Sequence, residues 1–204
     1  MYCQNCDCTF LNWHNTCPIC GEQLLPPPEE SRRLPSLAED VLIERVRQAG
    51  GEICFHAQTS VVQMKSPAIF PYFGFGEAYE QRIEGRSDDL WIDLHGIQAG
   101  RDRAYRYPWR GYGFAWASAM EGELCGNPVT LRAEQVGHKR RWGFPFFGFG
   151  YAWIEAMSGG CGDRLSVNLR QKEIARFLRR RFPHRGFGYA WSKRFELSLT
   201  LQTR

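Results

Sequence analysis

From about residue 70 onward, large apolar and small residues alternate with a period of two, the pattern of strands rather than helices. The alternation is tightest in four segments that resemble one another. They read Pro71-Tyr72-Phe73-Gly74-Phe75-Gly76-Glu77-Ala78-Tyr79, Pro108-Trp109-Arg110-Gly111-Tyr112-Gly113-Phe114-Ala115-Trp116, Pro145-Phe146-Phe147-Gly148-Phe149-Gly150-Tyr151-Ala152-Trp153 and Pro183-His184-Arg185-Gly186-Phe187-Gly188-Tyr189-Ala190-Trp191. Their prolines are 37, 37 and 38 residues apart, and an aromatic residue precedes each one. In the third copy Phe147, Phe149, Tyr151 and Trp153 share one face, and Gly148, Gly150 and Ala152 share the other. Arg110 and Arg185 replace the first aromatic in copies two and four, and Glu77 interrupts copy one. A near-constant period of this size implies one supersecondary unit repeated, stacked or arranged in a circle.

A second alternating run follows each copy: Leu90, Ile92 and Leu94; Val129, Leu131 and Ala133; Leu165, Val167 and Leu169; Leu197, Leu199 and Leu201. Turn residues such as Gly126-Asn127-Pro128 and Ser158-Gly159-Gly160 lie between. Each repeat therefore predicts a β-hairpin, the fourth shortened by loss of most of its loop. Isolated hairpins are marginal, so the four are expected to share one aromatic and aliphatic core. The expected fold is mainly β: an antiparallel domain of four hairpin repeats of about 37 residues, barrel-like or propeller-like, with one or two helices. About eight strands are expected, plus a pair from residues 53–64. One helix starts after Ser36, with Glu39 completing a capping box, carries Leu37, Val41, Leu42, Val46 and Ala49 as its apolar stripe, and ends at Gly50-Gly51. Residues 172–181 are read as a second, short helix.

The first 24 residues follow a different logic. Cys3 and Cys6 form one Cys-x2-Cys pair, and Cys17 and Cys20 form another. Two such pairs bring four thiolates within reach of one tetrahedral ion. Pro18 and Gly21 suit the tight turn of the second pair. The segment resembles the zinc-ribbon (rubredoxin-knuckle) family, which implies a structural Zn2+ held by Cys3, Cys6, Cys17 and Cys20. A closed four-thiolate site leaves no open position for catalysis. Cys8 fits neither pair. Three consecutive prolines, Pro26-Pro27-Pro28, then mark a stiff linker. The expected organisation is a zinc ribbon at 1–24, a linker at 25–35, and a helix with the fourfold repeat at 36–204.

Charge adds a candidate function. The chain of 204 residues carries a net charge of +4. Residues 1–100 hold 7 basic and 14 acidic side chains, whereas residues 101–204 hold 19 and 8. Three basic clusters enter or precede repeat strands: Arg101, Arg103, Arg106 and Arg110; His138, Lys139, Arg140 and Arg141; and Arg170, Lys172, Arg176, Arg179, Arg180, Arg181, Arg185, Lys193 and Arg194, with Glu173 the one acid among them. In a closed repeat architecture equivalent positions share a rim, where arginine forks suit phosphate. Arg110-Gly111-Tyr112-Gly113-Phe114 and Arg185-Gly186-Phe187-Gly188-Tyr189 resemble the start of the RNP1 strand of RRM and cold-shock domains. That local resemblance implies exposed rings that stack on bases. Filling of the core is the competing use of the rings.

No phosphate-cradling loop, metalloprotease helix or nucleophile elbow occurs. No apolar run is long enough for a transmembrane helix, and no secretory leader is read at the N-terminus. The expectation is a non-catalytic cytoplasmic protein that binds nucleic acid, single strands included, through Arg110, Lys139, Arg140, Arg141, Arg176, Arg179, Arg180, Arg181 and Arg185. The alternatives are a scaffold subunit that docks acidic protein surfaces and a metal-dependent phosphodiesterase using Asp93 and His95, which share a strand face.

Overall fold

The computed structural model describes residues 2–4, 8–10, 16–17, 20, 22–25, 36–65, 68–69, 73–74, 77–106, 110–143, 147–181 and 185–202. Helix α1 (Glu39–Gln48) precedes the long strands β3 (Glu52–Lys65), β6 (Glu77–Ser87), β7 (Leu90–Arg106), β8 (Arg110–Leu124), β9 (Asn127–Gly143), β10 (Phe147–Cys161), β11 (Leu165–Arg181) and β12 (Arg185–Leu201). Short strands β1 (Tyr2–Cys3) and β2 (Cys8–Phe10) come before it, and β4 (Ala68–Ile69) and β5 (Phe73–Gly74) form a small separate hairpin. Each long strand pairs antiparallel with the next, and β12 returns to pair with β3. The result is a closed eight-stranded antiparallel barrel, so the propeller alternative falls away.

Three expected elements change. Residues 53–64 form one strand rather than a pair, because β3 supplies the partner that closes the circle between β12 and β6. Leu197, Leu199 and Leu201 continue β12 rather than forming a separate hairpin arm. Residues 172–181 are the far half of β11, not a helix: pairing with β12 sets Ala175 opposite Trp191 and Phe177 opposite Tyr189. There the ladder overrides a short stretch with weak helical periodicity.

All repeat strands bend at one level. The ladder skips Gln81 in β6, Ser118 in β8, Glu155 in β10 and Lys193 in β12. Those β-bulges are spaced as the repeat is, and they divide the barrel in two. On one side all eight strands are joined. On the other, pairing between these eight strands survives only within β3–β6, β7–β8, β9–β10 and β11–β12. The β6–β7 ladder ends at Arg82 opposite His95, β8–β9 at Ala119 opposite Arg132, β10–β11 at Ala156 opposite Arg170, and β12–β3 at Arg194 opposite Gln58. The barrel thus opens into four two-stranded ribbons.

The joined half is the barrel floor. Ile83, Met120, Met157 and Phe195, one from each repeat, are fully buried in it, as are Leu94, Leu131 and Leu169 from the intervening strands. Gly122 lies so close to β7 that a Cβ would strike Asp93 O, and Gly159 stands likewise over Thr130 O. Helix α1 lies across this end with Leu42, Ile43 and Val46 buried in the same core, while Val41 is exposed. The predicted capping box does not form. Ala38 holds the N-cap position without a side-chain bond, and Ser36 Oγ donates instead to Cys125 O at 3.3 Å. Glu39 accepts the Asp163 and Arg164 N–H groups of the β10–β11 turn at 3.1 and 3.0 Å. At the other end Arg45 forms a two-pronged pair with Asp89 at 2.6 Å on each prong. The helix is anchored by turns of the barrel rather than by its own cap. Gly50 and Gly51 end it at φ +82° and +104°, as glycine alone does without strain.

The ribbon half explains the repeat motif. Among the described residues, the small face of the third ribbon packs on the aromatic face of the ribbon before it. A Cβ at Gly150 would lie 2.6 Å from the Phe114 ring and 2.9 Å from Gly113 O. Phe114 also stacks on His138 of the next ribbon at 5.8 Å. The Arg176 guanidinium stands 5.7 Å over Trp153. Tyr189 and Trp191 of β12 bury against Val62, Met64 and Ala78 of the first ribbon, which closes the pinwheel. Trp116 and Trp153 lie over Gly100 and Gly137 of their own partner strands. The alternation of glycine or alanine with a ring is therefore a packing code: every ring needs a flat neighbour.

Candidate functional site: a thiolate cluster and a basic barrel end

The N-terminal module docks where the barrel splits. Strand β1 pairs with β2, and β2 runs parallel to β3, with Thr9 opposite Val61 and Phe10 opposite Val62. It thereby covers the edge of β3 just where β12 has parted from it, an edge otherwise open to unwanted pairing. Cys3, Cys17 and Leu24 are buried with Val62, Met64, Ala78, Tyr189 and Trp191. The turn of the second cysteine pair is closed by the Cys17 N–H donating to Glu22 O at 2.6 Å, and Thr16 bridges Gln23. The ligand atoms of Cys3, Cys17 and Cys20 all lie within 4.8 Å of one another, close enough to bind a metal ion. Cys3 Sγ and Cys20 Sγ are 3.5 Å apart. Cys6 lies outside the described residues.

Two thiols of the barrel serve packing. Cys125 and Cys161 are fully buried under α1. Burial pushes the Cys125 thiol up and that of Cys161 up to about 12, so both stay protonated and unreactive at neutral pH. Cys125 Sγ accepts the Trp91 N–H at 3.3 Å. Among the described residues the N-terminal cluster is the one group with metal-ligand geometry.

Strand register brings part of each basic cluster to one end of the molecule, while Arg170, Lys172, Lys193 and Arg194 stay near the bulges. Arg106 faces Arg110 across the β7–β8 tip, and Arg181 faces Arg185 across the β11–β12 tip. Lys139, Arg140 and Arg141 pair with Tyr151, Gly150 and Phe149 toward the β9–β10 tip. All three tips lie beyond the split, opposite the end that α1 covers. Lys139 and Arg176 are exposed. The side chains of Arg110, Arg140, Arg141, Arg179, Arg180, Arg181 and Arg185 lie outside the described part, and these residues are placed by their backbone.

Other cations are already engaged. Arg101 and Arg103 reach across to the buried Glu77 carboxylate of the first ribbon at 3.4 and 2.6 Å. Lys172 pairs with Glu196, and Lys193 and Arg194 pair with Glu173 at 3.4 and 3.3 Å. Those three stand at the level of the bulges, short of the tips.

Comparison with protein-family models, with curated proteins and with solved structures finds no match to this chain. The reading of the site therefore rests on its own residues.

Asp93 and His95 lie on the outer wall. Asp93 accepts a two-pronged contact from Arg82 at 2.8 and 2.6 Å, and His95 Nε2 stands 3.2 Å from Glu121. Each partner is a cross-strand neighbour of the kind that solvates an exposed sheet face. The rings expected to stack on bases are largely used for packing: Phe114 is 4% exposed, Trp153 8%, Tyr189 5% and Trp191 0%. The RNP1-like strands therefore turn at least their Phe114 and Tyr189 rings inward.

Sequence reasoning passed over a fully buried carboxylate. Glu80 is fully buried at the level of the bulges and accepts N–H bonds from Ser192 at 2.6 Å and from Ala117 and Ile154 at 3.5 Å each. A signal was available: Glu80, Ala117, Ile154 and Ser192 each follow the last aromatic of their repeat, and one of the four is acidic.

Proposed function

We propose that the protein grips a nucleic-acid backbone with the tips of its second, third and fourth ribbons. The observation that carries this reading is the register: it gathers Arg106, Arg110, Lys139, Arg140, Arg141, Arg179, Arg180, Arg181 and Arg185 at one end of the barrel. The first ribbon contributes no comparable cluster, and the acidic residues of the chain concentrate in its first half, away from these tips. Arginine outnumbers lysine there, which favours two-pronged contacts to phosphate oxygens. Because Phe114, Trp153, Tyr189 and Trp191 are occupied in the pinwheel, the reading rests on phosphate contacts and not on base stacking. Binding is then driven by counterion release and tolerant of sequence.

The N-terminal cluster is read as a structural zinc site of Cys3, Cys6, Cys17 and Cys20. Three of the four ligands already stand together, and a closed thiolate set favours zinc in a reducing cytoplasm. Its task is to hold β2 against the edge of β3, which fixes the first ribbon relative to the fourth.

The test is fluorescence polarisation of labelled single- and double-stranded DNA and RNA across a salt series, with zinc-loaded protein. Duplex DNA is expected to bind with a log–log salt slope of about −4 or steeper, the release expected from roughly five phosphate contacts. Absence of binding to every oligonucleotide at low salt would overturn the reading and make an acidic protein surface the partner to seek.

A further inference from the structure

The split of the barrel creates a problem of unpaired backbone. Two residues past each break, at Glu80, Ala117, Ile154 and Ser192, an inner strand has lost its neighbour on one side. The N–H groups there are buried, and a buried donor without an acceptor is costly. Carbonyl groups cannot answer all four, because no strand crosses the axis at this level. A single side chain does. The Glu80 carboxylate sits among them, with Oε1 receiving Ser192 and Ile154 and Oε2 receiving Ala117. The Glu80 N–H contributes as well. Two carboxylate oxygens offer about four acceptor positions, which matches the number of strands. Around them Ser192 Oγ donates to Ile154 O, and Thr59 Oγ1 donates to Ser192 O at 2.6 Å.

We propose that the waist of the barrel is an anion-binding site of the carboxylate class, built by the fourfold repeat from backbone N–H groups, and that Glu80 is its tethered occupant. Through it the first ribbon is tied to the other three. The proposal stands independently of the nucleic-acid reading, since it concerns the axis and not the tips. The nearest charged groups are otherwise committed. On β6 itself Glu77 is held by Arg101 and Arg103, and Arg82 by Asp93. Glu155 of β10 and Lys193 of β12 lie in the bulges, with Lys193 paired to Glu173. Strand β8 presents Ala117 and Ser118, and β3 presents Thr59 and Val62. Among the described residues no cation pairs with Glu80, so the backbone alone offsets its charge. The balance is incomplete: burial holds the carboxyl at about 6, above its ordinary 4.5, against the pull of the four N–H groups.

Two experiments test this. In the intact protein, the Glu80 carboxyl carbon and the amide protons of Ala117, Ile154 and Ser192 are followed by NMR as pH is changed. All are expected to shift together with one midpoint near 6; amides that ignore the Glu80 titration would overturn the proposal. In the second, E80A is melted with sodium formate or with sodium chloride at equal ionic strength. Formate is expected to raise the E80A midpoint by about 3 °C at ten times its Kd, and to leave the wild type and E80Q, whose sites are filled, unchanged. Equal effects of formate and chloride on E80A, or an equal effect of formate on all three proteins, would also overturn it. The titration reads the wild type, so it decides the matter even where E80A does not fold.

Discussion

The two halves of this barrel are made from the same eight strands but solve different problems. In the floor every strand has two hydrogen-bonded neighbours, the core is mostly aliphatic, and α1 closes the end with three buried side chains. In the ribbon half each strand keeps one barrel neighbour, and cohesion passes from the ladder to the fit of rings onto glycine and alanine. The floor can tolerate similar hydrophobic residues so long as volume is kept, as Ile83, Met120, Met157 and Phe195 at one repeat position illustrate. The ribbon half cannot, because its flat faces leave no room for a side chain. That difference is what allows basic residues to collect at the tips: the floor supplies the stability, and the tips are left to carry charge.

The comparison can be broken most severely from the floor. Phe195→Ala removes a fully buried ring from the central layer and is expected to cost about 3–5 kcal/mol, read by chemical denaturation. The expected signature is a lower midpoint with oligonucleotide affinity unchanged in the protein that remains folded. A smaller loss is expected in the ribbon half. Gly150→Ala forces a methyl against the Phe114 ring and Gly113 O, at a cost of about 1–3 kcal/mol. Hydrogen exchange is expected to rise in β8 and β10 beyond their bulges and to stay unchanged in the floor. A uniform rise throughout would show that the halves do not open separately.

The waist between them should respond to pH. The Glu80 carboxyl sits at about 6 in the folded protein against an ordinary 4.5, so folding takes up a proton between those values. Its contribution to stability is fully present below about pH 4.5 and is lost as pH rises through 6. Relative to E80Q, the wild type is expected to lose about 2 kcal/mol between pH 4.5 and 7, measured as the difference between two denaturation series. Parallel curves for the two proteins would contradict the assignment.

The mildest perturbation is removal of the proposed metal from the N-terminal cluster. Chelation, or Cys17→Ser, is expected to expose the edge of β3 near Val61 and Val62 and leave the floor intact. Mass spectrometry of the native protein should show one zinc per chain before treatment and none after, and hydrogen exchange would locate the change.

How much of this was legible in the sequence follows from the range of each interaction. The repeat, its two faces and the paired cysteines are local patterns, and each describes a real feature: strands β6, β8, β10 and β12, the small-on-aromatic packing, and three gathered thiols. Closure by β3 was not legible, since its partners are β12 and β6, the former lying more than a hundred residues away. Residues 172–181 misled because a few apolar residues at helical spacing looked self-sufficient, whereas Trp191 and Tyr189 decide their conformation. The capping box at Ser36 and Glu39 had the right residues, but turns of the barrel outbid the helix for both side chains. Glu80 escaped notice because its meaning depends on three other strands meeting at the axis, and a single acidic residue carries no periodic signal.

The central claim is that phosphate is held by the tips and not by the wall. Two charge-removed proteins test it directly: R179Q/R180Q/R181Q beside the β11–β12 tip, and K172Q/R194Q on the wall at the level of the bulges. Both are titrated with the same labelled duplex across a salt series. The tip variant is expected to lose affinity at every salt and to flatten the log–log slope by about 2 to 3, roughly 0.9 for each lost contact, while the wall variant keeps the wild-type slope. Equal slopes for all three proteins, or a larger loss in the wall variant, would contradict the account.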